Sequence, residues 1–198
     1  EDTSSCRVIF SEADDFGGLI VDKFEDVLVA QVLSIGMEVH KQQIFDALLA
    51  VFAEDGIAIR GIYERNDVSS RKLEGLPETT GWARYDENAK APKSDTSVII
   101  NENGVRYFVD FENGQKTGFF LDQKYNRRAV AKLAAGRHVL DCFTHTGSFA
   151  LNAAHGGAAY VNAVDISELA VAQARKNAQL NGLEEHMDFT ATNVFDLL

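Results

Sequence analysis

The chain has 198 residues, enough for one full domain or two small ones, and is 45% hydrophobic and 25% charged with 2 prolines, a composition that can bury a core and excludes a disordered chain. With 19 Lys+Arg against 30 Asp+Glu the formal net charge is −11, which excludes a protein that grips nucleic acid by bulk charge alone. No apolar run approaches the roughly 18–20 residues of a spanning helix, so no membrane partner is expected.

Cys6–Phe10 is a short β-type run. Gly18–Phe24 and Val27–Ser34 are apolar and β-branched, and the turn-prone Glu25-Asp26 between them predicts a hairpin. From Met37 to Phe52 the period changes. Val39, Ile44, Ala47, Leu48 and Val51 share one face and predict an amphipathic helix with a core stripe. Ile57–Tyr63 returns to strand character, and Glu64–Pro92 is polar and irregular, so loops with short helical pieces are expected there. Val98–Asp110 predicts a second hairpin around Asn103-Gly104, a pair that tolerates the positive φ angles of a type I′ turn. Gly114 to Gly118 reads as a flexible joint. Asp122 can cap a helix that runs to about Ala135 and stops at Gly136.

Strands and helices then alternate: Arg137–Cys142, a helix over Gly147–His155, Tyr160–Asp165, a helix from Ser167 to about Leu180, and Met187–Ala191. That spacing predicts βαβ units in a parallel, doubly wound sheet. The expected fold class is α/β. A mixed α/β domain over residues 1–96 precedes a hairpin and an incomplete doubly wound parallel sheet over 97–198. Only three such strands fit before Leu198, where a doubly wound nucleotide fold has about six. The chain also opens at Glu1 rather than Met, so we expect a piece of something longer.

Charge is uneven. Residues 1–96 carry 10 basic and 19 acidic residues, whereas 97–198 carry 9 and 11, and five of those basic residues lie between Lys124 and Arg137. A local basic patch on an acidic body is therefore expected. The 2 cysteines, Cys6 and Cys142, form no CxxC and no metal-ligand cluster with the five histidines, which reads as a cytoplasmic protein with reduced thiols.

The chemistry concentrates after the first parallel strand. Asp141 ends it, a tight loop follows, and Gly147 opens the next helix, a geometry that aims backbone N–H groups at an anion. Asp165 ends the second strand, 24 residues later, where a carboxylate can accept both hydroxyls of a ribose. Asn193 follows the third strand, within reach of an adenine edge. Each signal alone is common: a strand-end Asp is as often a solvated cap as a ligand. In register, the three describe an adenosine-containing ligand across the carboxyl edge of the sheet. Phe143, Thr144 and His145 stand where a dinucleotide site needs glycines, so a pyrophosphate is disfavoured and a smaller anion, such as the carboxylate of S-adenosylmethionine (SAM), is favoured. A P-loop fails as well, because Gln115 stands where the motif before Lys116-Thr117 needs Gly.

Two longer stretches, Gly114-Gln-Lys-Thr-Gly-Phe-Phe-Leu-Asp-Gln-Lys-Tyr-Asn-Arg-Arg128 and Val139-Leu-Asp-Cys-Phe-Thr-His-Thr-Gly-Ser-Phe-Ala150, resemble the class I SAM-dependent ribosomal RNA methyltransferases, and more narrowly their large-subunit cytosine-5 type. Gly18-Leu-Ile-Val-Asp-Lys23, Gly61-Ile-Tyr-Glu-Arg65 and Glu74-Gly-Leu76 are similar to that family's central domain. The resemblance implies an rRNA-modifying enzyme with SAM as cofactor, a preceding RNA-binding PUA domain, and a catalytic loop beyond this chain, so the catalytic residues stay unassigned and the chain alone is expected to be inactive. It implies that Asp122, Gln123 and Arg127 lie along the methionine moiety and that Phe119 and Phe120 sit near the cofactor. Asp141, Thr144, Thr146 and Gly147 form the loop, Asp165 meets the ribose and Asn193 the adenine. Asp15-Phe16-Gly17-Gly18 replaces a Pro-containing turn of the family, and Lys124 stands where many relatives have Arg. An unpaired sheet edge makes a homodimer a candidate assembly. The alternatives are a methyltransferase for another RNA base and a non-catalytic SAM- or RNA-binding module. On composition alone, Arg127 and Arg128 also read as a solvated helix face, and Tyr63, Trp82 and Tyr85 as core rather than base-stacking residues.

Overall fold

A computed structural model describes residues 2–197. The chain divides into two compact units, the first made of residues 4–98 and 109–119, the second of 2–3, 99–108 and 120–197. One boundary falls after residue 98, beside the break near residue 96 expected from the sequence, and residues 109–119 return to the first unit. The segment after the second hairpin belongs to the first unit because its side chains are anchored there. Phe111 packs edge-on against Tyr63 and Trp82, with ring centroids 5.2 and 5.6 Å away, and Thr117 Oγ1 donates to the buried Asp22 carboxylate at 2.6 Å. The stretch expected as a loose joint is a set of bonded turns, in which Gly114 N donates to Asp110 O and Gly118 N to Gln115 O.

The first unit is a five-stranded sheet in the order β1-β2-β3-β4-β5. Its strands are β1 (Ser5–Phe10), β2 (Leu19–Phe24), β3 (Val27–Val32), β4 (Gly61–Asn66) and β5 (Thr79–Tyr85). The β2–β3 hairpin turns at Glu25, which takes φ 51°. Helix α1 (Ile35–Glu54) carries the chain from β3 to β4, which pair in parallel, and Ser34 Oγ caps it by accepting from Met37 N. All six residues of β3 are buried, as expected of a strand covered on both faces.

Two expectations fail here. Val39, Ala47 and Val51 are exposed, and the side of α1 that meets the core carries Met37, Ile44, Phe45, Leu48, Leu49 and Phe52. The helix has more apolar residues than one face can bury, so the sequence stripe selected the wrong edge. The region expected to be irregular holds the end of β4 and all of β5. Its strands are polar yet ordered because their polar groups are bonded. Asn66 Oδ1 accepts from Val32 N at 2.7 Å, and Arg65 donates to Asp67 and to the Phe111 carbonyl. Trp82 and Tyr85 lie in this aromatic cluster, and Trp82 Nε1 donates to Lys93 O.

Hairpin β6 (Ser97–Glu102) and β7 (Val105–Asp110) turns through Asn103 at φ 55° and Gly104 at φ 83°, both left-handed as a type I′ turn requires. Its turn end belongs to the second unit. There β8 (His138–Asp141), β9 (Tyr160–Asp165) and β10 (Met187–Ala191) form a parallel sheet in the order β10-β9-β8. Four helices accompany it: α2 (Lys124–Ala134), α3 (Ser148–His155), α4 (Glu168–Asn181) and the short α5 (Val194–Leu197). Ser167 Oγ caps α4 and Gly182 ends it in the left-handed region. Asp122 does not cap α2. It lies in a 3-10 turn over Leu121–Gln123 and accepts from Gln123 Nε2, while α2 starts without a side-chain cap. Gly156 lets α3 press on α2, since a Cβ there would stand 2.1 Å from Ala131 O. No helix of the described residues is long and apolar enough to cross a membrane.

Candidate functional site

The carboxyl ends of β8, β9 and β10 are tied together by the backbone. Thr144 N donates to Val164 O at 2.9 Å, and Thr192 N donates to Asp165 O at 2.9 Å. The loop after β8 is folded onto Asp141. One oxygen of that carboxylate accepts from Thr144 Oγ1 at 2.8 Å and from Ala150 N at 3.1 Å. Burial pushes the Asp141 carboxyl above its ordinary range, opposed by those bonds and assisted by repulsion from Asp165.

Asp165 uses each oxygen once, Oδ2 for His145 N at 2.8 Å and Oδ1 for Ser167 N at 3.0 Å. A carboxylate has about four lone-pair sites, so two acceptor positions remain for a pair of hydroxyls. His145 takes φ 49° to deliver its N–H. Burial lowers its imidazole pKa, with Asp165 pulling the other way, and its ring meets Phe120 edge-on at 6.0 Å. Gly147 has φ 86°, and a Cβ there would lie 2.9 Å from Ala174 Cβ, so the loop can close on α4 only with glycine.

Among the expected site residues, Asp141, Thr144, Thr146, Gly147, Asp165 and Asn193 lie on this edge, with Phe120 beside His145. Asn193 is exposed, and its side chain accepts from Phe195 N. Asp122 and Gln123 bond each other, and Gln123 also accepts from Asn126. Phe119 is buried within the first unit. Arg127 is neither a solvated helix residue nor an edge residue. It is fully buried, with Nε and Nη2 on the two oxygens of Glu102 at 2.7 and 3.0 Å and Nη2 also on the Phe120 carbonyl. Cys6 is exposed and Cys142 half-buried.

Sequence reasoning missed two groups. Phe143, Ile166 and Phe195 are 71%, 77% and 76% exposed at the same strand ends, with the Phe143 and Phe195 rings 6.5 Å apart. They form apolar faces that a heterocycle could cover; each stands one or two residues after a strand-end polar residue, a spacing too short and too common to mark them in the sequence. Asn177, fully buried on α4, donates to the Thr146 carbonyl and accepts from Phe108 N of β7. Nothing in its helical position marks it in the sequence.

A parallel sheet whose carboxyl edge carries two acids, a polar side chain and a single-glycine loop defines a nucleoside-cofactor-binding α/β unit. The residues fit an adenosyl amino acid: two open acceptor positions on Asp165, apolar faces beside them, and a loop too bulky for a pyrophosphate. A family model for S-adenosylmethionine-dependent methyltransferases matches residues 89–196, more than half of the chain, and the chain belongs to that family. The ribosomal RNA large subunit methyltransferase I of Aeromonas salmonicida (strain A449) is 44% identical over 193 residues, 97% of this chain and 46% of that protein. The protein of the same name from Aeromonas hydrophila subsp. hydrophila is 45% identical over 194 residues with the same coverage. Among solved structures, a Streptococcus mutans chain described as a SAM-dependent methyltransferase superposes with TM-score 0.79 at 27% identity, covering 99% of this chain and 48% of that one. This chain thus spans about half the length of the relatives it matches.

Proposed function

We propose that this chain is the cofactor-binding part of a cytoplasmic enzyme that methylates large-subunit ribosomal RNA, with C5 of a cytosine as the acceptor. The observation that carries this reading is the row of Asp141, Asp165 and Asn193 at the ends of three consecutive parallel strands. The names of the relatives support RNA as substrate. SAM, when bound, supplies an electrophilic methyl group. Asp165 accepts the ribose hydroxyls, Asn193 reads the adenine edge, and Phe143, Ile166 and Phe195 cover the base. Thr144, Thr146 and Gly147 shape the loop toward the methionine carboxylate, with Phe120, Asp122 and Gln123 on the approach. Arg127 acts as a positioning residue: through the Phe120 carbonyl it fixes the turn that carries Asp122 and Gln123.

Cytosine-5 methylation needs a thiolate to add at C6 and a base to remove the C5 proton. Cys6 belongs to the first unit, and Cys142 stands in the turn directly after the strand proposed to carry the cofactor. We assign the thiolate to neither and place it outside these 198 residues, in a longer protein with an N-terminal PUA domain and a homodimeric assembly. A tritiated-SAM assay on undermethylated ribosomal RNA tests this. The longer protein is expected to transfer label to cytosine C5, and the 198-residue chain none. Robust transfer by the chain alone would overturn the assignment and make Cys142 the first residue to mutate.

A further inference from the structure

Helix α2 has two unlike sides. Arg127 points into the second unit, where Glu102 neutralises it, and Ala134 on the same side is buried as well. Tyr125, Arg128 and Lys132 stand at i, i+3 and i+7 and are all exposed, Tyr125 to 72%. At about 100° per residue these three share an arc of roughly 60°, opposite Arg127 and Ala134. The outer side of α2 therefore presents an aromatic ring in line with two cations. Lys124 Nζ lies 5.6 Å from the centroid of that ring.

The charge of this side is opposite to that of the chain. The chain carries 30 Asp+Glu against 19 Lys+Arg, yet no acid occurs between Asp122 and Asp141. Asp2 reaches α2 from the N-terminal segment, 2.6 Å from Lys124 and 3.6 Å from Arg128, while Lys132 has no ion-pair partner among the described residues. Arg128 and Lys132 also line a cleft of about 400 Å3 beside the hairpin turn. A cationic helix face suits a lipid surface, an acidic polypeptide or RNA. A lipid surface needs a broad apolar face beside the cations, and Leu133 is the one large aliphatic side chain that α2 exposes. An acidic polypeptide would use the cations and leave the ring idle. RNA uses both, since phosphates pair with the cations and an unstacked base covers the ring. In a duplex the base faces already cover each other, so the ring selects a single strand.

We propose that the outer side of α2 is a docking surface for a single-stranded stretch of RNA. One base stacks on Tyr125, and the neighbouring phosphates lie against Arg128 and Lys132. This rests on the reading of RNA as the substrate and adds where the strand is held, on residues that take no part in the strand-end row.

Fluorescence anisotropy of a labelled single-stranded oligoribonucleotide, titrated with the chain at several salt concentrations, tests it. The parent is expected to bind saturably, with an affinity that falls as salt rises. Tyr125→Ala should weaken binding about tenfold, and Tyr125→Phe, which keeps the ring, should not. Arg128→Ala/Lys132→Ala should weaken it at least as much at low salt. That variant should also lower the slope of log affinity against log salt by about 1.4, because each phosphate contact on a single strand contributes about 0.7. All three side chains are exposed, so the variants should melt with the parent. The docking surface is overturned if the chain does not bind the oligonucleotide, if either alanine variant binds it as the parent does, or if Tyr125→Phe loses as much as Tyr125→Ala. It is also overturned if a duplex of the same sequence is equally sensitive to Tyr125→Ala, or if polyglutamate of equal charge displaces the label as well as unlabelled strand does. Failure of the methyl-transfer reading shows separately, as absence of tritium transfer to RNA by the longer protein while these binding differences persist.

Discussion

Arg127 and Glu102 form a two-point ion pair in the interior of the second unit, with both side chains 1% exposed and their hydrogen bonds at 2.7 and 3.0 Å. A helix residue and a hairpin residue thus neutralise each other where neither charge could be buried alone. Removing one partner leaves an uncompensated interior charge, which costs about 3–5 kcal/mol. We expect Glu102→Ala to lower the urea midpoint accordingly, and Glu102→Leu/Arg127→Met to recover much of the loss. A Glu102→Ala chain as stable as the parent would show that the pair is not a structural link.

Asp165→Ala removes the carboxylate proposed to accept the ribose hydroxyls. Loss of those bonds should weaken SAM or S-adenosylhomocysteine binding by about 1–3 kcal/mol. Calorimetry checks this, and NAD is expected to bind far more weakly than either. Unchanged affinity in the variant would remove Asp165 from the site.

The Asp141 carboxyl is held above its usual value of 3.8 by burial and by Asp165. In the interval between 3.8 and the raised value the folded chain binds more protons than the unfolded one. Its contribution to stability is therefore fully present below the unfolded pKa and lost as pH rises through the folded one. A carboxyl 13C titration should find the Asp141 midpoint above 3.8, and Asp141→Asn should flatten the pH dependence of unfolding across that interval. A midpoint at or below 3.8 contradicts the burial argument.

Gly147 and Gly182 both have positive φ, but a Cβ at Gly147 meets Ala174 whereas nothing lies within 4 Å at Gly182. Gly182→Ala should cost only the left-handed conformation, about 1–2 kcal/mol. Gly147→Ala should cost more and weaken cofactor binding as well. Thermal melts of the two variants make the comparison, and equal shifts would mean that the loop yields without strain.

The parallel half was legible because local signals agreed with the tertiary ones. Ser167 and Gly182 bracket α4, and Tyr160–Asp165 and Met187–Ala191 are strands with the bounds their residue patterns indicate. β5 was illegible because a strand held by polar bonds has no apolar alternation to read. Arg127 was misread for a related reason: its burial depends on Glu102, 25 residues earlier in the sequence and brought close only by the hairpin. Asn177 and the apolar trio at the strand ends carry no pattern of their own, since their roles exist only once distant backbone groups converge.

The bond from Phe108 N to Asn177, continued from Asn177 to the Thr146 carbonyl, makes the hairpin a splint for a loop nearly forty residues downstream. Anyone trimming this protein to its parallel sheet by starting at β8 would keep every strand-end residue and lose the brace. Asn177 and Asn181 would face vacated hairpin backbone, Asn152 would lose Tyr107, and α2 would no longer be present to cover α3. The smallest piece expected to present the loop in working order therefore begins before the hairpin, at a point where the chain is still passing through the other unit.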